Sequence, residues 1–160
     1  MYPASNQQLN YESDDEVCFF SSAFDPLNNW SAHAVKIWDK TFPTLEHAYH
    51  YRKYAETYPS VAAKIIAAPS PWAAMQIDRA YRDKRRSDWH AVKVGIMTEL
   101  LRAKVAQNDD VRACLLATGT KQIVENSPWD TFWGIGADRM GKNTLGGLWM
   151  LIRSEITSSS

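Results

Sequence analysis

An α+β fold dominated by helices is what this 160-residue sequence predicts, and three observations predict it. From Pro43 onward, apolar residues recur three and four apart, with Pro, Ser and Gly punctuating the chain at helix-sized intervals. Strand-like apolar runs are short and lie mostly near the N-terminus, at Glu16 to Phe20 and Ala34 to Phe42. There is no internal repeat and no second apolar region set off by a linker, so a single compact domain is expected, and a chain of this length can bury a sizeable core.

The elements follow in order. Met1 to Asp15 is polar and non-periodic, and Thr157 to Ser160 ends in serines. Residues 1–15 and 157–160 are therefore expected to be flexible tails around a domain spanning 16–156. Glu16 to Phe20 (EVCFF) reads as a short buried strand, with Asp25, Pro26, Asn28 and Asn29 marking a loop before Trp30. Ala34 to Trp38 alternates, Asp39 and Lys40 turn, and Thr41 and Phe42 return, forming a hairpin that feeds the next helix. Pro43 and Thr44 open that helix, and Pro59 beyond Thr57 stops it. Ser60 to Ala68 is an alanine-rich helix closed by Pro69, and Ser70 with Pro71 opens another through about Tyr81. Ser87 is expected to cap the longest helix, a core-facing one in which Trp89, Val92, Ile96 and Leu100 recur at three and four, with Trp89 in the first turn facing either the core or a pocket mouth. Asn108, Asp109 and Asp110 begin a short helix over Val111 to Ala117, which Gly119 terminates. Lys121 to Glu125 (KQIVE) reads as one more strand. Asn126 to Asn143 is then the longest non-periodic segment, and a loop of that length inside a domain is more often functional than idle. Thr144 to Ile156 closes the chain as an apolar helix with Asn143 as N-cap.

With Lys+Arg 18 against Asp+Glu 18 the formal charge is zero, which excludes a global electrostatic case for a nucleic-acid or membrane coat. Any anion binding must be local. Cys18 and Cys114 lie in apolar runs and read as buried thiols of a reducing compartment rather than as a disulfide. There is no secretory apolar segment and no run long enough to span a bilayer, so a soluble cytoplasmic protein with no membrane partner and no obligate protein partner is expected. Seven Trp and seven Tyr suit a pocket that stacks planar ligands, although aromatic residues also simply fill cores.

The chemistry concentrates in Pro43 to Tyr54 (PTLEHAYHYRKY). Glu46, His50 and Lys53 fall at i, i+4 and i+7, so a carboxylate, an imidazole and an ammonium share one helix stripe. Spacing alone fits either a site or a solvated face with an ordinary charge pair. Glu46, His47 and His50 spell Glu-His-x-x-His, neither the metalloprotease order nor its inverse. His33 and His90 are the remaining histidines, so no metal site is expected. Arg79, Arg82, Lys84, Arg85 and Arg86 form the one basic cluster, which reads as a solvated connector or as the phosphate-holding edge of a cleft. Gly136 to Thr144 (GADRMGKNT) nearly spells a phosphate-binding loop, but Asn143 stands where the magnesium-binding hydroxyl belongs. The chain also lacks the alternating strands and helices of a parallel sheet, so a nucleotidase is excluded. Backbone amides at a glycine-rich helix start beside Lys142 would still favour an anion, a phosphate or diphosphate. Asp130 and Glu46 are carboxylates in aromatic-rich segments. Cleaving a bond between an anomeric carbon and nitrogen needs a carboxylate to stabilise an oxocarbenium-like state and an acid to protonate the leaving nitrogen; by residue type this is one option among several.

Five ordered blocks make a more specific statement: PTLEHAYHYRKY, RRSDWHAVKVGIMTELLRAK (Arg85 to Lys104), LLATG (Leu115 to Gly119), VENSPWDTFWGIG (Val124 to Gly136) and GKNTLGGLWMLIR (Gly141 to Arg153). Together they resemble the NADAR family, also called YbiA-like, from about Cys18 to Arg153. The resemblance implies a YbiA-like domain and a cofactor-free N-glycosidase. Some members of that family hydrolyse riboflavin-pathway intermediates carrying a phosphoribosylamino group, and others remove ADP-ribose from guanine bases in nucleic acid. Both substrates join ribose C1 to an exocyclic amine. The resemblance further implies that Glu46, Lys53, Trp89, Asp130, Trp133, Gly134 and Asn143 line the ribose and base pocket. Three departures bear on its rim: His50 stands where many members have Gln, Leu27 to Trp30 replaces the commoner LSNF, and Arg139 with Met140 fill a loop that is often richer in glycine.

Glu46, Lys53 and Asp130 are accordingly the expected catalytic residues, with Trp89, Trp133, Gly134, Arg139, Lys142, Asn143 and His50 binding substrate. Arg139 as a diphosphate contact favours ADP-ribosylated guanine over a phosphoribosylamino-pyrimidine. Two mechanisms stay open: Lys53 captures C1 as a Schiff base while Glu46 moves protons, or Glu46 or Asp130 activates water directly. A non-catalytic module binding NAD or ADP-ribose is the rival of another class, against which Glu46, Lys53 and Asp130 argue.

Overall fold

The computed structural model describes residues 8–20 and 22–159; residues 1–7 of the expected N-terminal tail, Ser21 and Ser160 lie outside the described residues. Among the described residues the chain is an α+β protein, mostly helical, with short strands in a three-stranded and a two-stranded sheet. None of its helices is long and apolar enough to cross a membrane. Its internal contacts group into two units, one built from the chain up to Asn28 and from Asp109 onward, the other from Asn29–Asn108.

In the first unit, β1 (Tyr11–Glu12) pairs antiparallel with β2 (Glu16–Phe19), placing a strand inside the stretch expected to be a tail. β2 in turn runs parallel to β5 (Gln122–Glu125), with Val17 opposite Ile123 and Cys18 opposite Val124. Val17, Cys18 and Phe19 are all fully buried, which is why this strand reads as an unbroken apolar run. α5 (Asp109–Ala117) carries the half-buried Cys114, and α6 (Thr144–Ser158) packs on β5. The buried stripe Leu145, Gly146, Trp149 and Ile152 holds α6 there, and the Trp149 indole donates to the Leu27 carbonyl at 2.9 Å. A Cβ on Gly146 would overlap the Ile123 carbonyl, so this contact requires glycine.

In the second unit, β3 (Val35–Ile37) and β4 (Lys40–Phe42) form a hairpin as expected, but with its turn one residue earlier than Asp39 and Lys40, since Lys40 already pairs with Ile37. Its turn is Trp38 and Asp39, both at positive φ (54 and 60), as a two-residue primed turn demands. α1 (Leu45–Arg52) follows, capped by Thr44, whose hydroxyl accepts the His47 amide at 3.2 Å. α2 (Pro59–Ile66) and α3 (Pro71–Ala80) pack on α1 with their Pro residues in the first turn, and Ser70 caps α3. Tyr54, Val61, Ala62, Ile65, Ala68 and Ala74 form the core between them. α4 (Trp89–Gln107) begins two residues after the expected cap Ser87; Asp88 holds the cap position, and its carboxylate takes Arg86 instead of a backbone amide.

Candidate active site

The Glu46 stripe is largely withdrawn from solvent, with His50 and Lys53 buried and Glu46 half-buried. Lys53 sits at the C-cap of α1 in helical geometry, so the i, i+4, i+7 register continues through it. The three side chains touch in sequence: His50 Nε2 lies 2.8 Å from Glu46 Oε1, and His50 Nδ1 lies 3.0 Å from Lys53 Nζ. His50 and Lys53 are 5% and 4% exposed, which rules out the ordinary surface pair. Tyr49 and Trp89 form an aromatic wall, with Lys53 Nζ 4.8 Å and 5.4 Å from their ring centroids. The Trp30 indole also hydrogen-bonds the Glu46 carboxylate, and the Asn29 carbonyl accepts the Glu46 amide at 3.1 Å.

The centre of this cluster is a residue that sequence reasoning missed. Asp78, on α3, accepts from Lys53 Nζ at 2.9 Å, from the Tyr54 hydroxyl at 2.8 Å and from Arg85 Nε at 2.8 Å, and lies 3.2 Å from His50 Nδ1. The Arg86 amide donates to the Lys53 carbonyl at 2.9 Å, which pins the turn that delivers Arg85. Of the basic cluster, Arg85 therefore belongs to the site, while Arg86 pairs with exposed Asp88. The signal was an acidic residue in the core register of α3, four residues after buried Ala74.

Charge and burial set the protonation of these groups. Burial lowers the Lys53 ammonium to about 8 and Arg85 adds to the fall, with Asp78 opposing both. Burial also disfavours the His50 imidazolium, but the Glu46 charge and the hydrogen bonds that the ring donates to Asp78 and Glu46 outweigh it and raise its basicity. Burial works against both carboxylates as well. His50 and Lys53 hold Glu46 below its usual range, and His50, Arg85 and Lys53 hold Asp78 well below it. His47 stands apart: its Nδ1 meets the Thr44 hydroxyl at 2.8 Å and its Nε2 the Ala68 carbonyl at 3.0 Å, so it is a core histidine with both nitrogens engaged.

The remaining expected site residues belong to the other unit, in the loop before α6. Asp130 Oδ1 accepts the amides of Phe132 and Trp133 at 2.9 and 2.8 Å, folding the loop on itself. Phe132 and the half-buried Trp133 pack edge to face at 4.9 Å, and Gly134 leaves no room for a Cβ beside Glu125. Asn143 is not a side-chain cap. At φ 50 it is left-handed, and its amide bridges the Glu125 N–H (2.8 Å) and the Ile123 carbonyl (2.9 Å), tying the loop end to β5. At the helix start expected to favour an anion, the amides of Lys142, Asn143, Thr144 and Leu145 donate to the carbonyls of Thr131, Gly134, Phe132 and Trp133. Lys142 itself is exposed, its ammonium 5.5 Å from the Phe132 ring centroid. Arg139 forks onto Glu16 at 2.9 and 3.1 Å and donates to the Tyr11 hydroxyl at 3.1 Å, so its guanidinium secures the β1–β2 strands.

Comparison with known proteins is consistent with this chemistry. The NADAR domain matches residues 10–157. The chain is 37% identical over 142 residues to N-glycosidase Npun_R5314 of Nostoc punctiforme, covering 86% of this chain and 91% of that protein. It is 32% identical over 157 residues to N-glycosidase YbiA of Escherichia coli, covering 96% and 97%. It is also 31% identical over 146 residues to riboflavin biosynthesis protein VVA0006 of Vibrio vulnificus, 91% of this chain but only 37% of that longer protein. The NMR structure of E. coli YbiA superposes with a TM-score of 0.77 at 33% identity, over 94% of this chain and 90% of that one. The family match over residues 10–157, with relatives named N-glycosidase along nearly the whole chain and a shared fold, establishes that the protein belongs to the NADAR family and is a hydrolase of the N-glycosidase class.

Proposed function

We propose that this N-glycosidase hydrolyses the bond between ribose C1 and an exocyclic amine, with Lys53 as nucleophile and Glu46 as proton donor and acceptor. The observation that carries the reading is the buried contact chain from Glu46 through His50 to Lys53. A lysine lowered to about 8 by burial supplies neutral amine near physiological pH, the property that Schiff-base lysines need. A module that only binds would need neither that amine nor the adjoining carboxylate.

Ribosylamines open to imines, which exposes C1 to attack. Lys53 adds to C1, the former imine nitrogen takes one proton from Glu46 and one from the Lys53 nitrogen of the adduct, the C1–N bond breaks to release the amine, and C1 is left as a protonated imine on Lys53. Water then adds to C1 and gives one proton to Glu46, and Lys53 is expelled with the hydroxyl proton as the sugar aldehyde forms and recloses. Tyr49 and Trp89 give the site an apolar wall beside the amine.

For the substrate we favour a phosphoribosylamino-pyrimidine over ADP-ribosylated guanine. The sequence argument for ADP-ribose rested on Arg139 as a diphosphate contact, and that guanidinium is engaged with Glu16 and Tyr11. Kinship to a protein named for riboflavin biosynthesis supports the same choice. A cytoplasmic site of action fits such a free metabolite.

Mass spectrometry on wild type, Glu46→Ala and Lys53→Ala, each given 5-amino-6-ribosylaminouracil 5-phosphate and an ADP-ribosyl-guanine oligonucleotide, tests the reading. Release of ribose 5-phosphate by wild type alone supports it, and release of ADP-ribose alone transfers it to the guanine substrate. Binding without turnover of either would leave only a binding module. Borohydride during turnover is expected to fix a ribosyl adduct on Lys53, and an active Lys53→Arg variant with no adduct would leave direct hydrolysis, with Glu46 or Asp130 activating water.

A further inference from the structure

The hydrolysis proposed above uses the two ends of the contact chain and leaves its middle without a task. His50 Nδ1 lies 3.0 Å from Lys53 Nζ and 3.2 Å from Asp78 Oδ2, while its Nε2 lies 2.8 Å from Glu46 Oε1. A neutral imidazole carries one N–H and one lone pair on separate ring nitrogens, so it can accept at one while donating at the other. We infer that His50 relays the proton between Lys53 and Glu46, with Asp78 holding the ring in place, which makes His50 a positioning residue for the reaction. This rests on the reading of Lys53 as nucleophile and Glu46 as acid.

The transfer balances. Before attack, Lys53 is an ammonium donating to the Nδ1 lone pair, and Nε2–H donates to the Glu46 carboxylate. One N–H bond of Lys53 breaks as Nδ1–H forms, and Nε2–H breaks as the Glu46 O–H forms. Lys53 is then a neutral amine with a lone pair for C1, Glu46 a neutral acid facing the leaving nitrogen, and the ring a neutral tautomer with its proton on Nδ1. That new N–H has an acceptor waiting in Asp78, which accounts for two contacts at one ring nitrogen. After the departing amine takes the Glu46 proton and one N–H proton of the Lys53 adduct, the first proton lost by water passes through Glu46 to Nε2, Nδ1–H returns to the Lys53 nitrogen, and the hydroxyl proton joins it as Lys53 leaves C1 as an ammonium. The opposite drifts in basicity, Lys53 downward and His50 upward, bring the two partners closer and ease the exchange.

His50 is faced from its own helix by Glu46, Lys53 and the Tyr49 ring, and from α3 by Asp78, which carries Arg85 and the Tyr54 hydroxyl with it. The test measures kcat and KM across pH for wild type, His50→Gln and His50→Gly, on whichever of the two substrates wild type hydrolyses. His50→Gln is expected to lose about 100-fold in kcat with KM held within about threefold. The acid limb of the wild-type profile, set by His50 above its ordinary 6.5, is expected to vanish with it. Added imidazoles are expected to restore His50→Gly to a degree that follows their basicity. An unchanged kcat with an unchanged acid limb, or a loss confined to KM, overturns the relay. Ring nitrogen NMR of His50 in unliganded wild type and Lys53→Met needs no turnover, so it decides the matter even if the His50 variants do not fold. Above the His50 titration the relay requires a protonated Nε2 and an Nδ1 resonance that moves in Lys53→Met; a proton resting on Nδ1 in both proteins overturns it. Wild type that hydrolyses neither substrate sinks the proposed function, and the nitrogen signals still judge the relay.

Discussion

Asp78 shows what a single buried charge does to this site. It is 2% exposed and compensates Lys53 and Arg85 together, with Tyr54 completing its hydrogen bonds. Removing one partner of a buried pair strands the others, so Asp78→Asn is expected to lower unfolding free energy by about 3–5 kcal/mol. Lys53→Met in the same protein should recover part of that loss, because it removes a charge left without its partner. Urea unfolding of the two single variants and the double variant measures both terms, and additive losses would contradict the coupling. The pH dependence has a definite sign. The folded-state carboxyl of Asp78 is held below its unfolded value of 3.8, so its stabilisation is fully present above that value and is lost as pH falls through the lower folded one. The part of the stability gap between wild type and Asp78→Asn that is due to the Asp78 carboxyl's own ionisation should therefore persist through the neutral range and be lost only under strong acid. Lys53 acts oppositely. Its pKa falls from 10.5 to about 8, so between those values the unfolded chain holds the extra proton, and this group adds stability as pH rises through that window. Glu46, His50 and Lys53 were legible in the sequence because one helix fixes their spacing. Asp78 was not, because its meeting with them is tertiary, 25 residues away in the chain.

Two neighbouring glycines of α6 separate packing from backbone propensity. A Cβ at Gly146 would overlap the Ile123 carbonyl and crowd the Asn143 amide, whereas one at Gly147 meets nothing within 4 Å. Gly146→Ala is expected to destabilise by about 1–3 kcal/mol through overpacking at the α6–β5 contact. Gly147→Ala should stabilise by about 0.5–1 kcal/mol, since alanine has less conformational freedom to lose in a helix. Thermal melts of the two variants should move in opposite directions, and a fall in both would remove the packing argument. Helix starts at Thr44 and Ser70 were readable because the capping side chain and the amide it accepts are three residues apart. Asn143 misled the same rule: its left-handed backbone turns the side chain onto β5, a partner 18 to 20 residues earlier that no local pattern encodes. The pairing of β2 with β5 was hidden for a related reason. Two short apolar runs can be found in sequence, but a parallel register between strands about a hundred residues apart is decided by the intervening fold.

Charge over the entire chain bears on which substrate the protein meets. Lys+Arg 18 balance Asp+Glu 18, and the basic residues near Lys53 are largely neutralised where they sit, Arg85 by Asp78 and Arg86 by Asp88. Arg139 in the other unit is likewise neutralised by Glu16. A protein that follows a nucleic-acid backbone displaces condensed counterions with unpaired cations, and its affinity falls steeply as salt rises. A free phosphorylated ribosylamine needs only local contacts, and its KM should respond weakly. For the phosphoribosylamino-pyrimidine, kcat/KM is expected to change by less than about threefold between about 50 and about 200 mM salt, because few ions are released. An enzyme adapted to ADP-ribosyl-guanine within DNA or RNA would lose on the order of a hundredfold or more over that range if several phosphates were engaged. Steady-state kinetics on the oligonucleotide and on the free nucleotide, in parallel salt series, separate the two. A steep loss confined to the oligonucleotide, with the oligonucleotide the better substrate at low salt, would assign the enzyme to nucleic acid despite its neutral charge.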